Sequence, residues 1–172
     1  GVPGYGCASR ITLCSLGSVL NGWANGPRAW EGAMDECIFC KIVKREVSAS
    51  IVYEDDLTLA FMDIGHVNPG HTIVVLKPHI ANIYGLNDTQ SASVFRTATR
   101  IAQALKKAMQ PAGMTLLQAN ELAGLQTVFH FHIHVLPRHA NDGVAFTWPS
   151  RRPPREELEN YAAQIRAAII SA

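Results

Sequence analysis

The chain has 172 residues, 48% of them hydrophobic and 17% charged, which suits one globular domain with room for a core. Its net charge of +1 lacks the basic excess of a nucleic-acid or anionic-membrane binder. No stretch approaches the roughly 20 apolar residues that span a bilayer, so neither nucleic acid nor membrane is the expected partner.

Residues 1–33 differ from the rest, being rich in Gly, Ser, Asn, Pro and Trp, with Arg10 and Arg28 set against a single acid, Glu31. They read as a flexible extension, with a transit-type targeting segment as the alternative. The domain proper is expected over residues 34–172, starting at Met34. Cys7 and Cys14 fall in the extension, and no disulfide framework is expected. Cys37 and Cys40 form a C-x-x-C pair, read as half of a tetrahedral zinc site or as a redox pair.

Residues 38–44 suit a short helix behind the negative charges of Asp35 and Glu36. Residues 51–54 and 57–63 read as strands joined by a tight turn at Asp55-Asp56. A loop at 65–70, broken by Asn68-Pro69-Gly70, leads to Thr72-Ile-Val-Val-Leu76, a continuous apolar run that reads as a buried strand ended by Pro78. Asp88 is expected to cap a helix over residues 89–109, in which Val94, Ala98, Ile101, Leu105 and Ala108 keep a helical period until Pro111 and Gly113 stop it. Residues 114–119 read as a strand and 120–124 as a loop. A last helix opens at Pro154-Arg155-Glu156-Glu157 and carries Leu158, Tyr161, Ile165 and Ile169 on one stripe. Hairpins with few helices give an α+β domain around an antiparallel sheet.

The most informative run is Gln126 to Arg138, where His130, His132 and His134 alternate with Phe129, Phe131, Ile133 and Val135. Period two predicts a strand whose apolar side chains meet a core while the imidazoles line the other face, roughly 7 Å apart. Protonatable nitrogens are costly to bury without partners. Three readings fit: a solvent-facing strand, a metal site using two histidines at i and i+2, and a nucleophile with supporting residues, since neutral imidazole attacks phosphorus.

The pattern Gln126-x-Val128-x-His130-x-His132-x-His134-x-x-Pro137-Arg138 resembles the signature of the histidine triad (HIT) nucleotide hydrolases and transferases. Cys37-Ile-Phe-Cys40, Val52-Tyr-Glu-Asp-Asp-Leu57, Ala60-Phe-Met-Asp-Ile64, Asn68-Pro-Gly-His-Thr72 and Leu76-Lys-Pro-His79 are similar to bacterial-type members in order and spacing, so the likeness covers the chain from Met34 onward. The resemblance implies a HIT-like fold with a long helix and a C-terminal helix, and a sheet continued across a homodimer; the cytoplasm is the default location.

It also implies an enzyme acting on the α-phosphate of purine nucleoside phosphoramidates or related adenylylated compounds. His132 would attack phosphorus to form a covalent nucleotidyl-histidine, with His134 and His71 flanking the phosphate and His134 passing a proton to the leaving group. Thr127, Asn120 and Gln126 would lie near phosphate and leaving group, Asp63 on the ribose hydroxyls, and Phe61, Ile38 and Ile64 around the base. Cys37, Cys40, His79 and His130 would hold a structural zinc, with no catalytic cofactor. A dinucleoside polyphosphate hydrolase and a non-catalytic purine-nucleotide-binding protein are the alternatives. One departure concerns the leaving-group loop: Leu125 and Glu121 stand where bacterial relatives usually carry glycine, and Gly124 is displaced by one.

Overall fold

The structure, a computed structural model, describes residues 37–147 and 149–170, so the expected extension, Met34 and the Asp35-Glu36 charges lie outside the described residues. The elements in order are α1 (Ile38–Val43), β1 (Ile51–Glu54), β2 (Thr58–Met62), β3 (Thr72–Leu76), a short 3-10 turn (Ile83–Gly85), α2 (Asp88–Met109), β4 (Gly113–Leu117), β5 (His132–Arg138) and α3 (Arg155–Ile170). The five strands form one antiparallel sheet in the order β1-β2-β3-β5-β4. This is the α+β arrangement expected from the sequence.

The central strands β2, β3 and β5 present alternate residues to two covered faces. On one face Ala60, Val74, Leu76, Ile133 and Val135 pack with Phe131 against Val94, Ala98, Ile101 and Leu105 of α2. On the other, Leu59, Phe61, Ile73 and Val75 pack against Phe39, Cys40 and Ile42 of α1. Burial on both sides explains why β3 reads as an unbroken apolar run rather than an alternating one. At about 1.5–3 kcal/mol per fully buried aliphatic side chain, this packing outweighs any single cap or surface ion pair.

Some boundaries differ from the expected ones, each for a local reason. The cap of α2 is Asn87 rather than Asp88: its side chain accepts the Gln90 N–H at 2.9 Å while the Gln90 side chain accepts the Asn87 N–H at 3.0 Å. Asp88 becomes the first helical residue, where its charge suits the helix N-terminus. The strand expected over 57–63 covers Thr58–Met62, and the one expected over 114–119 covers Gly113–Leu117. The larger difference is in β5, which begins at His132. Pro78 has no N–H to extend the ladder beyond β3, and residues 126–131 turn away from the sheet, with the Phe131 N–H donating to Ile80 O at 2.6 Å. His130 therefore lies before the strand, and Phe129, expected in the core, is 46% exposed. The stripe Leu158, Tyr161, Ile165 and Ile169 of α3 is exposed. No helix among the described residues is long and apolar enough to cross a membrane.

Candidate active site and metal cluster

His132 and His134 stand on the α1 face of the sheet, opposite Val75 and Ile73 of β3. Their rings lie edge to face with centroids 4.9 Å apart, closer than strand spacing alone predicts. His132 is almost fully buried, and its Nδ1 lies 2.7 Å from the carbonyl oxygen of His130. A carbonyl only accepts, so Nδ1 carries the proton and the lone pair is on Nε2. Burial pushes the His132 pKa below its ordinary 6.5, so the ring is neutral at pH 7.

A second chain of imidazoles runs behind it. The Val67 N–H points to His71 Nδ1 at 3.4 Å, and His71 Nε2 lies 2.9 Å from His134 Nδ1. A neutral His71 that accepts at Nδ1 must donate from Nε2, which leaves the proton of His134 on its Nε2. Burial holds His71 low and pushes His134 down to about 4. Asp63 Oδ2 faces both rings, 3.5 Å from His71 Nε2 and 3.6 Å from His134 Nδ1, while Oδ1 accepts the Gly65 N–H at 2.8 Å.

The loop that delivers His71 is clamped from the far end of β5. Arg138 donates to both Asp142 oxygens, at 2.7 and 2.9 Å. Asn68 Nδ2 donates to Asp142 Oδ2 at 2.9 Å and to Pro137 O at 2.8 Å. Gly70, at φ +88°, passes so close to α2 that a Cβ there would lie 2.5 Å from Met109 Sδ and 2.9 Å from Leu105 Cδ2.

In front of the imidazoles is a cavity of about 310 Å³. Ile38, Phe61, Asp63, Ile64, Thr127, His132 and His134, all expected at the site, line it. Ile64 is fully exposed at its edge. Phe39 and Ile42 of α1 also line it, and the sequence reading did not single them out; the only hint was that Phe39 sits between the two cysteines. His71 sits behind the lining against His134. Asn120 and Gln126 are not part of the lining. The Asn120 Oδ1 accepts the Ile83 N–H at 2.9 Å. The buried Gln126 side chain bonds Ala81 O, Val128 O and the Glu121 N–H. Both tie down the loop before Thr127. In that loop Glu121 and Leu125 adopt φ of +62° and +68°, the left-handed region that favours glycine.

The remaining expected residues meet on the other side of His132. Cys37 Sγ and Cys40 Sγ each lie 3.5 Å from His130 Nδ1, and Cys40 Sγ lies 3.2 Å from His79 Nδ1. All four ligand atoms fall within 4.8 Å of one another. A tetrahedral zinc with Zn–S near 2.3 Å and Zn–N near 2.0 Å separates sulfur from nitrogen by about 3.5 Å, so the donor set fits that ion. His130 is preset for it: Nε2 donates to Leu76 O at 2.7 Å, which frees Nδ1 for a cation. Burial pushes the Cys40 thiol up to about 11 and His130 down to about 4, so without a cation these donors are neutral.

A family model described as HIT domain matches residues 44–141. Protein hit of Bacillus subtilis is 36% identical over 140 residues, covering 80% of this chain and 97% of that protein. Adenosine 5'-monophosphoramidase hnt1 of Schizosaccharomyces pombe is 33% identical over 134 residues, covering 77% and 98%. Among solved structures, a HIT family protein from Bacillus anthracis superposes with a TM-score of 0.75 at 39% identity, covering 78% of this chain and 97% of that one. A Zn-bound histidine triad family protein from Mycobacterium smegmatis gives a TM-score of 0.62 at 33% identity, covering 78% and 99%.

Proposed function

This chain belongs to the HIT domain family, and from that premise we propose that it hydrolyses purine nucleoside phosphoramidates or related adenylylated compounds through a nucleotidyl-His132 intermediate. The observation that carries the reading is the fixed tautomer of His132. Its Nδ1 proton is committed to His130 O, so the unprotonated Nε2 belongs to a buried, neutral ring lining the cavity. Nε2 attacks the α-phosphorus, the bond to the leaving group breaks, and His134 donates from Nε2 toward the charge that develops. Water then releases AMP and restores His132.

Asp63 accepts the ribose hydroxyls, and Ile38, Phe61 and Ile64 flank the base. A cavity of about 310 Å³ suits a single small ligand, at the lower end of the roughly 300–1,000 Å³ range of such sites. Thr127 contacts the phosphate, while Asn120 and Gln126 act by holding its loop. Cys37, Cys40, His79 and His130 hold zinc, which supplies a structural anchor and takes no part in the phosphoryl step. We assign the protein to the cytoplasm, where Cys37 and Cys40 remain reduced as zinc binding requires. We also assign it a homodimer that extends the sheet through the β4 edge, where Leu116 and Leu117 are exposed.

A second reading puts a catalytic metal on Asp63, His71 and His134, whose donor atoms also converge. The Val67 N–H at His71 Nδ1 disfavours it, because that contact requires the proton on the Nε2 that a metal would need.

The deciding experiment follows AMP release from adenosine 5'-phosphoramidate with and without chelator. The intact protein is expected to turn over, and His132→Ala to lose on the order of 10³-fold or more while still binding AMP. Full activity in His132→Ala would refute the mechanism. Immediate loss with chelator, with the Cys37–His130 cluster still loaded, would favour the second reading.

A further inference from the structure

We propose that Phe39 and His130 are positioning residues, through which zinc at Cys37, Cys40, His79 and His130 fixes the orientation of the His132 imidazole and thereby sets turnover. This rests on the reading of His132 as nucleophile and goes beyond the anchoring role given to the metal above.

Three observations carry it. First, His130 joins both sites in one residue. Its Nδ1 faces the two sulfurs at 3.5 Å, its Nε2 is bonded to Leu76 O, and its own carbonyl holds the His132 Nδ1 proton at 2.7 Å. Residues 126–131 lie outside the sheet ladder, so the His130 carbonyl is not held by strand pairing. Second, Phe39 lies edge-on to both imidazoles, with centroids 5.9 Å from His130 and 5.2 Å from His132, and against Phe61 at 5.6 Å.

Third, α1, which carries Phe39, has six residues, and its N-cap Cys37 makes no side-chain capping bond. A helix this short does not hold itself by its own hydrogen bonds. Cys37 and Cys40 bracket Phe39, so a metal bound by both fixes the backbone on either side of that ring. The core between the sheet and α2 contains none of the four metal donors. Metal loss therefore releases the α1 side of the molecule while the larger core stays packed.

The test uses the full chain, stripped of zinc by chelation and checked for metal content, with ¹⁵N NMR of the histidine side chains to read the His132 tautomer. In the zinc-loaded protein a single Nδ1–H form is expected. In the zinc-free protein a mixture of tautomers is expected, with kcat for the phosphoramidate lowered about tenfold or more. One equivalent of zinc restores both. Should the stripped protein unfold, Phe39→Ala with zinc still bound decides the matter: kcat falls about tenfold with mixed tautomers, whereas Phe39→Tyr keeps the single form. Zinc-free protein or zinc-loaded Phe39→Ala that retains one tautomer and full kcat would overturn the proposal. Lost turnover with the tautomer unchanged would equally overturn it and leave zinc as a clamp on the fold. Activity surviving in His132→Ala would instead refute the nucleophile, and the tautomer measurement would still report on the coupling.

Discussion

A neutral imidazole attacks only through the nitrogen that lacks a proton, and here a peptide carbonyl makes that choice for His132. The pH dependence follows from its sign. Burial holds the His132 pKa below 6.5, and only the unprotonated ring is active. With His132 as nucleophile, the acid limb of a kcat/KM pH profile should therefore have its midpoint below pH 6.5. Burial holds His134 at about 4, so this ring too is neutral near pH 7. Asp63 permits a separate check. If it accepts the ribose hydroxyls, Asp63→Asn raises KM by about tenfold to a hundredfold for an adenosine substrate. The same change has little effect on a 2',3'-dideoxy analogue, and an equal rise for both would remove Asp63 from the ribose. At this scale the alternation of residues 129–135 made it legible that His132 and His134 share a face. It did not reveal that the strand begins only at His132 and leaves His130 ahead of it, because the break depends on Pro78 and Ile80, about fifty residues earlier in the chain.

The site is assembled from short elements whose ends are held by side chains. Asn68, Arg138 and Asp142 lock the loop before His71 to the end of β5, and Gly70 allows that loop to pass against α2. Gly70→Ala is expected to cost about 1–3 kcal/mol in urea unfolding, since it combines a left-handed φ with a close contact to Leu105 and Met109. It should lower activity more than a remote change of equal cost. Asn87→Ala provides that remote change: loss of the α2 capping box costs about 1 kcal/mol and leaves kcat unaltered. A Gly70→Ala variant matching Asn87→Ala in kcat would show that the loop does not position His71. Element identity was legible where the apolar pattern is strong, as in the unbroken run of β3 and the helical period of α2. The Asp142 clamp was not, because an Asp four residues after an Arg in a loop looks like any surface pair.

At the scale of the molecule, the exposed apolar side chains among the described residues include the α3 stripe from Leu158 to Ile169 and Leu116 with Leu117 on the edge strand β4. An unpaired apolar edge invites another strand. Sedimentation should give a dimer, and replacing Leu116 and Leu117 together by Glu should give a monomer; a wild-type monomer would remove the assembly. Composition, periodicity and turn residues by themselves determined the α+β class and the apolar faces of helix and sheet, while the resemblance of the motifs pointed to the histidines, cysteines and carboxylate proposed to carry the chemistry. Those properties are local, set by side-chain type and by the strand and helix periods. Tertiary structure alone decided that the His130 carbonyl selects the tautomer of His132, that Phe39 leans on both rings, and that Asn120 and Gln126 brace a loop outside the cavity. These depend on where β3 stops and on how α1 packs over the sheet, and contacts between residues some ninety positions apart leave no periodic trace in the chain.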